Sequence, residues 1–377
     1  MRVLISTWGW RSHYYPMVPF AWGLRAAGHE VRVAGHPALV PAITGSGLTA
    51  VAVGDDPGFV ELFAGGISRK AADEDESVTV DGAIARCAEA MVDDLVAFAR
   101  DWRPHVVVHD PLNLAAPVAA RILGIPAVKH LWGADFSAGM PIAEEVATGN
   151  LVRRFGIERL PDTPDLILDP CPPVMQVPPV PAPRQPIRFV PYNGTAEHPS
   201  WLWQQSSRPR VCVTWGTLMS EVDGGELFRA PRVVEALAAS DIEVVVAIDP
   251  KTRPRFSALP DNVRFADTPL ALHVVLASCQ AIVHQGGAGS TMTALAAGVP
   301  QVILPAVVDQ QFNAAQLALT GAGVAGNLET VAEQVHELLT EPRWRQAATA
   351  LAEQNALRPS PAEVAAGLPR LLETQFA

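Results

Sequence analysis

Residues 281–304 read AIVHQGGAGSTMTALAAGVPQVIL, and this run decides the fold. Ala281 to His284 predicts a short buried strand, and Ser290 to Ala297 predicts a helix. Between them lies a turn carrying Gly286, Gly287 and Gly289. Ala297-Gly298-Val299-Pro300 then leads into a second apolar strand, Gln301 to Leu304. Strand, helix and strand joined by such short connections indicate a βαβ unit and hence a parallel sheet.

The same alternation extends upstream. Arg210 to Thr214, Ile242 to Ile248 and Val263 to Ala266 read as strands, with helices at Glu226 to Ala239 and Leu270 to Ser278. Beyond Leu304 mostly helices are expected, punctuated by Pro342 and Pro359. The first half repeats the architecture. Strands are expected at Arg2 to Thr7, Val31 to Ala34, Thr49 to Val53, His105 to Val108 and Pro126 to His130. Helices are expected at Met17 to Ala27, Asp81 to Trp102 and Asn113 to Leu123. Trp8 to Pro16 reads as a loop, and the aperiodic stretch from Gly54 to Val80 as a mobile loop over the sheet. Proline density from Pro161 to Pro199 argues against a helix or a central strand there. The chain of 377 residues therefore divides into two α/β domains. The expected spans are 1–192, a linker 193–208, 209–360, and a C-terminal helix 361–377 packing back on the first domain. Two tandem doubly wound sheets place ligands at the carboxyl ends of their strands, in a cleft between domains.

Composition excludes several partners. Lys and Arg number 28 against 39 Asp and Glu, a net charge of −11, and no basic stripe interrupts the acidic balance. Nucleic acid and anionic membrane surfaces are disfavoured. The cysteines, Cys87, Cys171, Cys212 and Cys279, have neither zinc nor redox spacing. Val3-Leu4-Ile5 is too short for a signal peptide, and no apolar stretch is long enough to span a bilayer. A soluble cytoplasmic protein is expected, and a homodimer is allowed.

The turn after His284 has the chemistry of an anion site. Glycines admit close backbone approach, Ser290 and Thr291 offer hydroxyls, and the helix start presents unpaired amides. An ordinary strand-to-helix turn is the plain alternative. The pattern is neither a Walker loop nor Gly-x-Gly-x-x-Gly, which weakens ATPase and dinucleotide readings. Asp309 and Gln310 begin a helix beyond the neighbouring strand, where a carboxylate beside an amide suits vicinal sugar hydroxyls.

His284-x-Gly-Gly-Ala-Gly-Ser, Ala-Gly-Val-Pro and Pro-x-x-x-Asp-Gln together resemble the donor signature of the GT-B inverting glycosyltransferases of the family-1 type. Within that family, the chain is most similar to bacterial enzymes that glycosylate polyketide and enediyne antibiotics. Leu166-Ile167-Leu168-Asp169-Pro170-Cys171-Pro172-Pro173 and Val190-Pro191-Tyr192-Asn193-Gly194 look like that subgroup too. The resemblance implies two Rossmann-like domains facing each other across a cleft. It also implies no cofactor, metal independence, and a thymidine diphosphate deoxysugar donor, with uridine diphosphate left open. By the same resemblance His284 reaches the diphosphate, and Gly286, Gly287, Ala288, Gly289 and Ser290 form its loop. Thr217 holds phosphate or ribose, and Phe265 marks the base-binding edge or else a core aromatic.

His13 lies beyond the first strand, where the family often carries a catalytic histidine, here preceded by Ser12 in place of the usual Gly. An imidazole near neutrality can take the acceptor's proton. Asp110, beyond the strand ending at Val108, is a candidate to orient it. Asp110 reads equally as a cap of the following helix, and Asp135 is a rival, itself able to act as base. Trp8, Trp10, Tyr14, Phe59, Phe63, Trp132 and Phe136 are candidates to line an apolar acceptor pocket, or else to pack a core. The function expected is transfer of a sugar, with inversion, to a small apolar natural-product aglycone. The rival expectations are a nucleotide-sugar 2-epimerase and a non-catalytic transferase-like helper or binding protein.

Overall fold

The computed structural model describes residues 1–67, 80–138, 151–158, 160, 163–177, 182–204, 206–216, 219, 227–256 and 259–376. The chain forms two compact units. One comprises Met1–Cys171, Val177–Arg188 and Arg358–Ala377, and the other Pro172–Gln176 and Phe189–Leu357. The main boundary between these units falls at 188/189, and the segment returning to the first unit begins at Arg358.

The first unit holds β1 (Arg2–Ser6), β2 (Glu30–Gly35), β3 (Ala50–Ala52), β4 (Val106–His109), β5 (Ala127–His130), β6 (Leu166–Asp169) and β7 (Arg184–Pro186). All pair in parallel, in the order β3-β2-β1-β4-β5-β6-β7. The central strands are apolar on both faces because helices cover both, so they show no period-two alternation. Val3 sits between Val31 and Val106, and Ile5 between Val33 and Val108. The helices Val80–Trp102 and Ala115–Leu123 cover one face through Met91, Val92, Leu95 and Val118. The helix Pro361–Phe376 packs on the helix Val18–Ala26. Gly23 permits that contact, since a Cβ there would lie 2.8 Å from the Pro361 carbonyl oxygen.

The second unit holds β8 (Arg210–Val213), β9 (Glu243–Val246), β10 (Val263–Phe265), β11 (Ala281–His284), β12 (Gln301–Ile303) and β13 (Gly323–Ala325). These are again parallel, in the order β10-β9-β8-β11-β12-β13. In each sheet the strand order reverses once, between β1 and β4 and between β8 and β11. A crevice opens at the carboxyl ends of such a pair, because the two flanking connections run in opposite directions.

Several expectations are corrected. Arg11–Tyr14 is a short helix followed by a 3-10 turn at Tyr15–Met17, so His13 is fixed by helical backbone rather than by a loop. Phe59–Ile67 is a helix, not loop. The proline-rich stretch contributes β6, an internal strand made of its proline-free segment Leu166–Asp169. Its other strand, β7, lies at the edge, where a missing amide hydrogen is tolerated. Among the described residues, no helix is long and apolar enough to cross a membrane.

Candidate active site

The crevice of the first unit collects polar groups that a sheet interior would normally exclude. Ser6, Thr7, His109, Asp110 and Asn113 are all buried at the ends of β1 and β4. Asp110 is wholly buried, and its Oδ1 accepts the Leu112 amide at 3.0 Å. The same oxygen lies 3.3 Å from Nδ1 of His13. Its Oδ2 is buried without a hydrogen-bond partner. Asp110 does not cap the next helix, since Asn113 Oδ1 accepts the Ala116 amide there. His13 is 9% exposed, and its Nε2 makes no hydrogen bond among the described residues. A buried carboxylate behind one imidazole nitrogen, with the other nitrogen unengaged, is the arrangement a general base needs.

Aromatic rings enclose this dyad. Trp8 stands edge-on to His13, with centroids 4.8 Å apart, and its indole Nε1 donates to His13 Nδ1. Trp132 lies 4.2 Å from the His13 ring, and its buried Nε1 has no partner among the described residues. Phe59 and Phe63, spaced i and i+4 on one helix face, pack with Trp8 into a cluster completed by Ile84 and Cys87. Phe59 lies against Gly9, where a Cβ would fall 1.9 Å from the ring.

Trp8, Phe59 and Phe63 are therefore buried in an aromatic cluster, the arrangement of the core-packing alternative. Tyr14 is also wholly buried, with its hydroxyl 2.6 Å from Ser46 Oγ. Trp10, Trp132 and Phe136 stay partly exposed. Asp135 is 1% exposed and held by Arg184 at 3.4 Å and by the Ser137 hydroxyl at 2.7 Å. Arg184 also binds Asp169 at 2.7 Å. Asp135 thus belongs to a buried ion cluster beside β7, where its charge holds the sheet edge together.

The crevice of the second unit is built from backbone. The helix Ala288–Ala296 starts after Gly287 with no side-chain cap. Gly287, Ala288, Gly289 and Ser290 are half-exposed, so the first-turn amides face outward with the positive end of the helix dipole. Gly286 adopts φ +99°, and its carbonyl accepts from Asn313 Nδ2 at 2.8 Å. Its amide donates to His284 Nδ1 at 3.0 Å. His284 Nε2 in turn faces Gln301 Oε1 at 2.9 Å, and Gln301 Nε2 reaches the Thr291 carbonyl at 3.2 Å.

Both nitrogens of His284 are consequently used inside the protein. Burial pushes its pKa down to about 4 against the opposing pull of the Gln301 bond, so the ring is neutral. The Thr291 hydroxyl is likewise turned inward, to the Gly287 carbonyl at 3.1 Å. Gln310 is 3% exposed, with Oε1 accepting the Ala306 amide at 2.9 Å, so it braces the turn after β12. Asp309, in the first turn of Val308–Ala318, is half-exposed. Phe265 is half-buried on the edge strand β10, between Phe256 at 5.2 Å and the Arg253 guanidinium at 5.4 Å. Thr217 lies outside the described residues.

Gln285 is the unspecified position of the His284-x-Gly-Gly motif. It is 6% exposed, its Oε1 is buried without a partner, and its carboxamide lies across the crevice. A side chain on Gly216 would meet its amide nitrogen at 2.6 Å, and one on Gly287 would meet it at 3.1 Å. The unpaired buried atom is an acceptor, so a donor group on a ligand beside the uncapped helix amides completes its hydrogen bonding.

Residues 22–216 match the N-terminal domain of the erythromycin biosynthesis protein CIII-like family, and residues 231–371 match its C-terminal domain. The chain belongs to that family. The L-demethylnoviosyl transferase of Streptomyces niveus is 38% identical over 98% of this chain and 97% of its own length. The 10-deoxymethynolide desosaminyltransferase of Streptomyces venezuelae is 35% identical over 98% of this chain and 97% of its own. The glycosyltransferase VinC, solved in complex with DTDP, is 34% identical. Its TM-score is 0.80 over 99% of this chain and 100% of that one. Both family domains, the GT-B architecture and the relatives' activity make this chain a glycosyltransferase. The epimerase and helper readings are set aside.

Proposed function

We propose that this enzyme transfers a deoxysugar from a thymidine diphosphate donor to a hydroxyl of a small apolar natural-product aglycone, with inversion, in antibiotic biosynthesis in the cytoplasm. The observation that carries the proposal is His13 with Asp110 behind Nδ1 and, among the described residues, no partner on Nε2. Nε2 takes the proton of the acceptor hydroxyl as its oxygen attacks the anomeric carbon. Asp110 stabilises the imidazolium that forms. Trp132, beside the ring with a free indole N–H, offers the aglycone an apolar face and one hydrogen bond.

The leaving diphosphate gains charge as the sugar bond breaks. The amides of Ala288, Gly289 and Ser290 meet that charge, with the Gln285 carboxamide as an additional donor. These dipoles are already fixed by the His284–Gln301 and Asn313 braces, so little reorganisation is needed. His284 acts as scaffold. The names of the relatives support the donor and acceptor classes, and DTDP in the VinC complex supports the thymidine nucleotide. A melting-temperature screen tests the donor class, because a ligand that binds only the folded state raises it. Thymidine diphosphate is expected to raise it more than uridine diphosphate. Equal shifts, or the reverse order, would contradict the donor assignment.

A further inference from the structure

We propose that Trp8 sets the tautomer of His13 and so limits the fraction of enzyme ready to accept a proton. This rests on His13 being the base. The indole N–H is a donor only. Trp8 is 1% exposed, and its Nε1 points at His13 Nδ1 with the rings at 81°. The same Nδ1 lies 3.3 Å from Asp110 Oδ1, a carboxylate oxygen that only accepts. One ring nitrogen cannot serve both neighbours at once. Accepting from Trp8 requires a lone pair on Nδ1, and the neutral ring then carries its proton on Nε2. Donating to Asp110 requires the proton on Nδ1, and the Trp8 N–H is then left facing another N–H.

Only the second form has a lone pair on Nε2 for the acceptor's proton. In that step the acceptor O–H bond breaks and the proton moves to Nε2, the oxygen's electron pair forms the new glycosidic bond, and the anomeric carbon–oxygen bond to the donor breaks, the nucleoside diphosphate leaving with that electron pair. The product is an imidazolium with both nitrogens protonated and Nδ1–H on Asp110, a state in which Trp8 has no bond to offer. Trp8 therefore favours the resting form over both the productive tautomer and the imidazolium. It is a positioning residue acting through His13. Its rings with Phe59 at 6.2 Å and Phe63 at 5.3 Å hold the indole in place.

The test is nitrogen NMR of histidine-labelled protein, wild type against Trp8→Phe, at a pH where the imidazole is neutral. Phe keeps the ring packing and removes the N–H. Wild-type His13 is expected to show an unprotonated Nδ1, and the variant a population shifted toward protonated Nδ1. Turnover of the variant is expected to rise roughly 2–10-fold with KM for the donor unchanged, the inverse of the competent fraction released. A wild-type His13 already protonated on Nδ1 would overturn the proposal, whether or not the variant folds. An unchanged tautomer in a folded variant would also overturn it. Full turnover in His13→Ala would instead remove the base assignment, a separate failure, since the NMR reads the ring and not the reaction.

Discussion

The two crevices share a topology and differ in what fills it. Each lies where the strand order reverses, and each has a histidine close to its central strands. At the β1/β4 crevice, His13 is 9% exposed, with Nε2 unengaged among the described residues and a buried carboxylate behind Nδ1. At the β8/β11 crevice, His284 is 0% exposed, both nitrogens are paired, and its pKa is pushed down to about 4. Topology chooses where a ligand sits, and local side chains choose what happens there. One crevice offers a titratable group, and the other offers fixed backbone dipoles with histidine reduced to a brace.

The strongest way to break this comparison is His13→Ala. Loss of a general base is expected to lower turnover by about 10²–10⁴-fold, measured in single-turnover kinetics, with thymidine diphosphate affinity by calorimetry unchanged. In the second unit the expectation reverses. Gly286→Ala is strained by φ +99° and by an approach of 2.7 Å to Ile303 Cγ2. It is expected to displace the first-turn amides and weaken nucleotide affinity by about 10–100-fold, the value of one or two charged hydrogen bonds. Parallel loss of affinity in both variants would erase the division of roles.

A smaller effect concerns pH. His109, His130 and His284 all have pKa values pushed down to about 4 by burial, so the fold stabilises their neutral forms. Their contribution is complete above the unfolded value near 6.5 and is lost as pH falls toward 4. Each adds a slope of about 1.4 kcal/mol per pH unit inside that window. Urea unfolding between pH 7 and 5 is expected to show the loss, and His284→Gln a shallower one. The smallest expected effect is none: removing divalent metal with EDTA is expected to leave turnover unchanged, since the proposed function has fixed amides meeting the diphosphate charge.

The parallel sheets were legible because Val106–Val108 and Ala281–Val283 are unbroken apolar runs bounded by polar turns. β13 was not, since Gly323-Val324-Ala325 is too short and small to carry a period. The proline-rich stretch hid β6 because prolines surround it, whereas Leu166–Asp169 itself contains none. That His13 and Asp110 lie together was legible from their place after strand ends. Which aromatics face outward was not, because burial of Trp8 and Phe63 depends on a helix packing over them from elsewhere in the chain. The brace role of His284 was hidden for a similar reason. Its partner Gln301 opens the next apolar strand, and a buried polar residue there signals a bond without naming the partner.

A crystal structure with thymidine diphosphate tests the division of roles most directly. The expected result is diphosphate oxygens on the amides of Ala288, Gly289 and Ser290, with the His284 ring still bonded to Gln301 and the Gly286 amide. A diphosphate bound by the His284 ring, or found away from that helix start, would contradict it.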